Sequence, residues 1–177
     1  MSEAALAHTA ELDADTLLRA RRLLDDVFGE EMTAEDWEHA LGGLHALIWV
    51  GSELVGHASV VQRRLYHQGR PLRAGYVEGV AVAQAHRGGG HGAALMQAIE
   101  RVIHRAYRLG ALGSTDEAAD FYSRRGWQRW MGPTSVLTPS GIVRTEDCDG
   151  CVYVFPVDRP LEPTGELTCG WREGDAW

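Results

Sequence analysis

The chain has no lysine. Its 17 basic residues are all arginine, set against 25 aspartates and glutamates, for a net charge of −8 over 177 residues. A P-loop needs the lysine of GxxxxGK[ST], so phosphate binding of that kind is excluded. The acidic balance repels nucleic acid and anionic lipid and attracts cations, so neither a nucleic acid nor a membrane is expected as a partner. Long apolar runs are missing too. "ALIWV" at 46–50 is typical of the longest, far short of the ~20 residues that span a bilayer. "MSEAALAHTAELDADT" carries acids and no basic stretch of a secretory signal, and a cytoplasmic protein is expected. Cysteine is scarce. Cys148 and Cys151 form "CDGC", with Cys169 apart from them. The pair reads as a redox couple, as half a zinc site short of two ligands, or as a turn built on Asp149-Gly150; the turn is favoured.

What is present is ordinary globular material, 45% hydrophobic and 24% charged, of a length suited to a single domain over residues 1–177. "DADTLLRARRLLDDVFG" predicts an amphipathic helix over 13–29, with Leu17, Ala20, Leu24 and Val27 on one face and Gly29 as its stop. "TAEDWEHALGG" predicts a second helix, with Thr33 and Asp36 in a capping box. Strands "LHALIWV" and "LVGHASVVQRRLY" follow, joined at "GSE". "HQGR" turns the chain into "PLRAGYVEGVAVA". A glycine-rich turn then opens a helix ending at Gly110, a brief strand "ALGS", and a helix over 115–126. Beyond Trp127, short β segments such as "SVLTP" and "CVYVFPV" alternate with turns. Residues 158–165 are a connection within an acidic tail over about 158–177, whose Trp171 and Trp177 argue that it docks on the domain. The fold class is α/β, a mixed central sheet with helices on both faces. His45 and His57 read as core or surface groups of their strands, no spacing suggests a metal, and no Ser-His-Asp or Cys-His arrangement convinces.

"VEGVAVAQAHRGGGHGAALMQAIERV" holds the strongest chemical signal. Gly88, Gly90 and Ala93 match GxGxxA, yet a dinucleotide fold places that motif in its first strand–turn–helix with an acid at the end of the next strand. Here several strands precede it, and the available acid, Glu100, lies mid-helix. The alternative is R/Q-x-x-G-x-G/A, met by Arg87, Gly88, Gly89, Gly90, His91 and Gly92. Side chains would block a diphosphate. Glycines let backbone N–H groups point inward, and the helix N-terminus adds partial positive charge. The strand before it, with Val80, Ala81 and Val82, offers N–H groups to an extended pantetheine arm.

That loop, followed by "DFYSRRGW" with Tyr122, Gly126 and Trp127, resembles the GCN5-related N-acetyltransferases. "DWEHALGGLHALIW", "VVQRRL", "YVEGVAV", "GPTSVL" and the ending "WREGDAW" narrow the resemblance to the aminoglycoside 2'-N-acetyltransferases, in register from about residue 9 onward. The resemblance implies a single-domain acyl-CoA N-acyltransferase fold, acetyl-CoA as cosubstrate, no metal, an aminoglycoside acceptor, direct attack in a ternary complex, and a homodimer acting in antibiotic resistance. An ammonium must lose a proton before attacking a thioester, and Glu78 is placed to take it, directly or through water. The Val80 N–H would stabilise the oxyanion. Tyr122 would be the acid for the departing thiolate, or a packing residue under the loop. Val80, Ala81, Val82 and Arg87 to Gly92 would hold the cosubstrate. Glu31, Asp36, Glu78, Gly79, Asp147, Asp175 and the Trp177 carboxylate would meet the drug's ammonium groups. From Glu146 onward eight acids face only Arg159 and Arg172, which suits a polycation, and the resemblance implies that the tail over about 158–177 packs on the substrate site.

Three positions depart from the family's pattern. Glu31 stands where a shorter aspartate is expected, Cys148 where a second acid is expected beside Asp147, and Gly113 where a serine hydroxyl would reach the substrate. These departures leave other acceptors open: another polyamine, an amino sugar or a protein N-terminus. A non-catalytic acyl-CoA-binding domain is the alternative of a different class.

Overall fold

The computed structural model describes residues 3–158 and 160–177. The chain groups into two compact units: residues up to Val61 with Val77–Val102, and Gln62–Tyr76 with Ile103–Trp177.

In the first unit, β1 (Ala5–His8) pairs antiparallel with β2 (Leu44–Val50). β1 was not legible in the sequence: four residues, largely exposed, show no alternation. Helix α1 (Ala14–Phe28) starts where Asp13 Oδ1 accepts the Thr16 N–H at 2.8 Å and stops at Gly29, whose φ of +59° an L side chain resists. Its buried face is Ala20, Leu23 and Leu24, packed on Leu47, Leu54 and Ala81. Leu23 thus joins the expected stripe, while Leu17 is only half-buried. Each fully buried leucine contributes roughly 1.5–3 kcal/mol through area removed from water. Helix α2 (Ala34–Ala40) has the expected capping box: the Asp36 carboxylate accepts the Thr33 N–H at 2.9 Å, and the Asp36 N–H donates to Thr33 Oγ1.

β2 runs antiparallel to β3 (Glu53–His67) across the turn Gly51-Ser52, with an irregularity between Ile48 and Trp49. β4 (Arg70–Val82) returns through Gln68-Gly69. A 3-10 turn, Gln84–His86, leads into α3 (His91–Ala106), whose Leu95, Met96, Ala98 and Ile99 are buried. A Cβ at Gly56 would lie 3.2 Å from Leu95 Cδ1, so a bare backbone lets this helix pack closely on β3.

The second unit carries the strand order β6-β9-β5-β4-β3-β10-β7-β8, with β5 (Leu109–Gly113), β6 (Gln128–Arg129), β7 (Thr134–Thr138), β8 (Gly141–Arg144), β9 (Val152–Pro156) and β10 (Leu167–Gly170). β5 is parallel to β4 and antiparallel to β9, and β10 is antiparallel to β3 and parallel to β7, so the sheet is mixed as expected. Three boundaries differ from the sequence reading. α3 ends at Ala106, and Gly110 lies inside β5. A Cβ there would sit 2.9 Å from both Ile103 and Trp127, so this glycine marks tight packing, not a helix stop. The expected helix over 115–126 divides into a 3-10 turn, Asp116–Ala118, and a short α4 (Ala119–Ser123), and Thr115 makes no side-chain cap. The tail contributes β10 to the sheet before continuing to Trp177. Among the described residues no helix is long and apolar enough to cross a membrane.

Candidate active site

In the first unit β4 breaks its regularity at Glu78–Val80, three half-buried residues after the buried Val77. Gly79 has φ +56°. A Cβ there would lie 3.1 Å from Leu24 and 3.3 Å from His57 Nδ1, so the conformation favours glycine and the space is tight for anything larger. The Gly79 carbonyl accepts a hydrogen bond from His57 Nδ1 at 2.7 Å, and Ser59 Oγ donates a long 3.4 Å bond to the Glu78 carbonyl. Behind them His57 Nε2 lies 2.9 Å from His45 Nδ1, and His45 Nε2 lies 2.8 Å from Thr9 Oγ1. Both imidazoles are fully buried. Burial pushes each from the ordinary 6.5 down to about 4, so both are neutral at pH 7. No local signal singles them out, since a histidine on an inward strand position looks the same whether it packs or relays.

Beyond Val82 the chain does what a diphosphate loop requires. The Ala83 N–H ties back to Val55 O at 2.9 Å, and Arg87 Nε donates to Val82 O at 3.2 Å. Arg87 to Gly90 are exposed, and Gly88 and Gly90 take φ +78° and +82°. Helix α3 begins at His91 with the Ala94 N–H bonded to Gly90 O, which leaves the first-turn N–H groups without helical partners. Sixteen residues of aligned peptide dipoles end there. Backbone, charge and access all suit an anion, so the loop fits the diphosphate of an acyl-CoA. Arg87 also lines an open cleft of about 600 Å³ with Arg19, Arg22, Asp26 and Glu53.

Besides Glu78, two expected substrate carboxylates belong to this unit. Glu31 is exposed at the end of the 3-10 turn Gly29–Glu31. Asp36 is partly committed elsewhere: its Oδ2 accepts from the Thr33 N–H and hydroxyl.

The second unit holds the remaining candidates. Tyr122 is buried, its ring 5.1 Å from Phe121, 6.1 Å from Trp127 and 5.9 Å from Tyr153. Burial pushes its hydroxyl up to about 12. Asp147 is exposed on the 3-10 turn Glu146–Cys148, and Asp175 is exposed in the tail. The "CDGC" segment is the expected turn, with Gly150 at φ +81° between β8 and β9. All three cysteines are free thiols. Cys148 is pushed up to about 11 by burial and then by Asp175, so its thiol stays protonated. Asp149 locks the turn by accepting the Thr134 N–H at 2.8 Å and pairing with Arg144 at 2.7 Å. The Arg144 bond, more than any other influence, holds the Asp149 carboxyl down at about 2.

The tail is firmly held. Arg63 Nη2 donates to Gly170 O at 2.9 Å and to Ala176 O at 2.8 Å, and Cys169 Sγ donates to the same Ala176 oxygen. The guanidiniums of Arg63 and Arg172 lie 4.6 and 5.4 Å from the centre of the Tyr76 ring. Trp177 is buried. Gly113 lies against it: a Cβ at Gly113 would meet the backbone carbon of Trp177 at 3.5 Å, an ordinary contact. Arg63, which tethers the tail, has no local signal in the sequence that links it to residues over 100 positions away.

Comparison with known proteins agrees with this geometry. The family described as Acetyltransferase (GNAT) domain matches residues 8–130. An aminoglycoside 2'-N-acetyltransferase from Mycolicibacterium fortuitum is 48% identical over 178 residues, which cover 98% of this chain and 91% of that protein. Among solved structures, the GNAT family N-acetyltransferase YhbS from Escherichia coli, in complex with CoA, superposes with a TM-score of 0.63 at 16% identity, covering 96% of this chain and 91% of the other. Escherichia coli ElaA gives a TM-score of 0.61 at 21% identity, over 88% of this chain and 99% of the other. These likenesses show the acyl-CoA N-acyltransferase fold.

Proposed function

Since the chain belongs to the GNAT acetyltransferases and, within them, to the aminoglycoside 2'-N-acetyltransferases, we propose that it transfers the acetyl group of acetyl-CoA to the 2'-amine of an aminoglycoside. The observation that carries the reading is the kinked strand leading into a left-handed glycine loop and a helix N-terminus, in a chain 48% identical to an enzyme of that activity. Acetyl-CoA supplies an activated thioester, and the chain's residues grip and polarise it. Arg87 to Gly92 hold the diphosphate with backbone N–H groups and the α3 dipole. Val80, Ala81 and Val82 present strand N–H groups to the pantetheine, and Val80's own N–H donates to the thioester oxygen, where negative charge grows during attack. Glu78 takes a proton from the acceptor ammonium, directly or through water. Attack is direct, with no covalent enzyme intermediate.

Tyr122 faces a thermodynamic limit. A phenol pushed up to about 12 is a weaker acid than an ordinary thiol, so it steadies the departing sulfur as a hydrogen-bond donor more than it surrenders a proton. Glu31 and Asp36 of the first unit, and Asp147 and Asp175 of the second, are the carboxylates assigned to the ammonium groups of a polyammonium drug, which need paired anions once partly desolvated; Gly79, Gly113, Cys148 and Trp177 are assigned as further substrate contacts. We take residues 1–177 as one catalytic domain, since the family match over 8–130 draws on both compact units. The same reading carries a cytoplasmic homodimer acting in antibiotic resistance, without a metal.

Thiol release from acetyl-CoA tests it. Tobramycin carries a 2'-amine and kanamycin A a hydroxyl there. Turnover with tobramycin alone is expected. Equal turnover with both would move the acetylated amine elsewhere, and no turnover with either would return the reading to other acceptors or to a binding domain.

A further inference from the structure

The buried histidines have a geometry that fixes every proton in the chain they form. The Gly79 carbonyl only accepts, so His57 carries its proton on Nδ1 and donates across 2.7 Å. A neutral His57 then has a bare Nε2, which must accept, so His45 Nδ1 donates across 2.9 Å. His45 Nε2 is in turn bare and accepts from Thr9 Oγ1 across 2.8 Å. The Thr9 hydroxyl has one proton, and giving it to His45 takes precedence over the 3.2 Å contact to Gly43 O. Thr9 Oγ1 is itself fed by the Gly42 N–H at 2.9 Å. Every donor runs in one direction, and the last acceptor is the Gly79 oxygen.

The peptide that ends this chain is the one whose N–H belongs to Val80. In a trans peptide, C=O and N–H point in opposite directions. Anchoring the carbonyl onto a buried imidazole therefore aims the Val80 N–H away from that imidazole. A hydrogen bond to the carbonyl also draws electron density through the amide and makes the same unit a stronger donor, by roughly 10–30% per bond in a chain. Gly79's left-handed φ accompanies the inward turn of its carbonyl, and an added Cβ would press on Leu24 at 3.1 Å and His57 Nδ1 at 3.3 Å.

We propose that Thr9, His45 and His57 are positioning residues for catalysis, an ordered hydrogen-bond chain that orients and polarises the Gly79–Val80 peptide toward the acetyl oxygen. The inference rests on the reading of Val80 as the oxyanion donor. It goes beyond that reading by giving work to three residues that touch neither substrate.

The experiment pairs kinetics with the Val80 amide signal in ligand-free protein labelled with ¹⁵N. In His57→Leu the amide proton should move upfield, kcat should fall about 10- to 100-fold, less than or near the loss of a full oxyanion donor, and KM for acetyl-CoA should change less than about threefold. His57→Asn, which puts an N–H near the Nδ1 position, should recover much of both. Thr9→Val cuts the chain at its far end without a large volume change, and should move both readouts the same way by less; it serves if His57→Leu does not fold. An unmoved Val80 proton and unchanged kcat in folded variants would overturn the proposal. A moved proton with unchanged kcat would remove Val80 as the donor, and the chain's catalytic role with it. Failure of the wild type to acetylate tobramycin would instead strike the acceptor assignment, and the Val80 signal would still report the chain.

Discussion

Trp177 donates its indole N–H to Thr145 Oγ1 at 3.0 Å. That bond ties the tail to the turn that presents Asp147, because Thr145 immediately precedes the 3-10 turn Glu146–Cys148 and is itself bonded to Thr134. Removing residues 176 and 177 therefore takes away a buried tryptophan, the Ala176 acceptor of Arg63, and one anchor of an acidic turn. We expect KM for the aminoglycoside to rise about tenfold, roughly the equivalent of one lost charge-assisted contact, with KM for acetyl-CoA changed little. Steady-state kinetics with each substrate varied in turn decides it; an unaltered drug KM would place the tail outside the acceptor site.

Gly113 offers a gentler probe of the same region. Its backbone is not left-handed, and an added Cβ would find ordinary van der Waals distances of 3.5 Å or more to Trp177 and Tyr76. Gly113→Ser should thus fold with a melting temperature within a few degrees of wild type, a change of less than about 1 kcal/mol. If this position faces the acceptor, the new hydroxyl alters the ranking of aminoglycosides by kcat/KM. A ranking identical to wild type would show that residue 113 does not touch the drug.

The elements that could be read from sequence are those with local signals. α1 had its Asp13 cap, its stripe and its Gly29 stop; the β2–β3–β4 succession had turn residues at each reversal; the loop proposed for the diphosphate had Gly88 and Gly90, whose positive φ an L side chain resists. Errors fell where tertiary packing decided. Gly110 looked like a helix stop because glycine usually is one, yet Ile103, Trp127 and Phe155 crowd it inside β5. β10 was hidden because four residues with one polar interruption carry no periodicity, and their place between β3 and β7 is fixed by partners about 100 and 30 positions away. In the candidate site, residue types were legible by resemblance; the Thr9–His45–His57 chain was not, since it exists only once three strands and a loop are assembled.

Acid should weaken the fold through the histidines. The folded-state value for His57 is about 4, below the ordinary 6.5, so between those values the unfolded chain binds the proton and the folded one does not. The contribution to stability is complete above about pH 6.5 and is lost as pH falls toward 4, amounting for His57 to on the order of 3 kcal/mol. His45 acts in the same direction. Denaturant melts between pH 7 and 4 should show this decline, and His57→Asn should flatten part of it. A wild-type stability independent of pH over that range would mean that the imidazoles are not held neutral.

Replacements at Glu78 and Tyr122 separate a proton acceptor from a hydrogen-bond donor. Glu78→Gln keeps size and removes the proton acceptor, so kcat should drop about 100-fold while acetyl-CoA binding, followed by calorimetry, stays near wild type. Tyr122→Phe removes a hydroxyl that burial has pushed up to about 12. That hydroxyl is protonated throughout the working range, so it contributes no limb to the pH profile. The variant should lose about tenfold in kcat, one hydrogen bond's worth, and keep the wild-type profile shape. A basic limb that vanished in Tyr122→Phe would show instead that the tyrosine ionises near neutral pH, which its aromatic surroundings of Phe121, Trp127 and Tyr153 oppose.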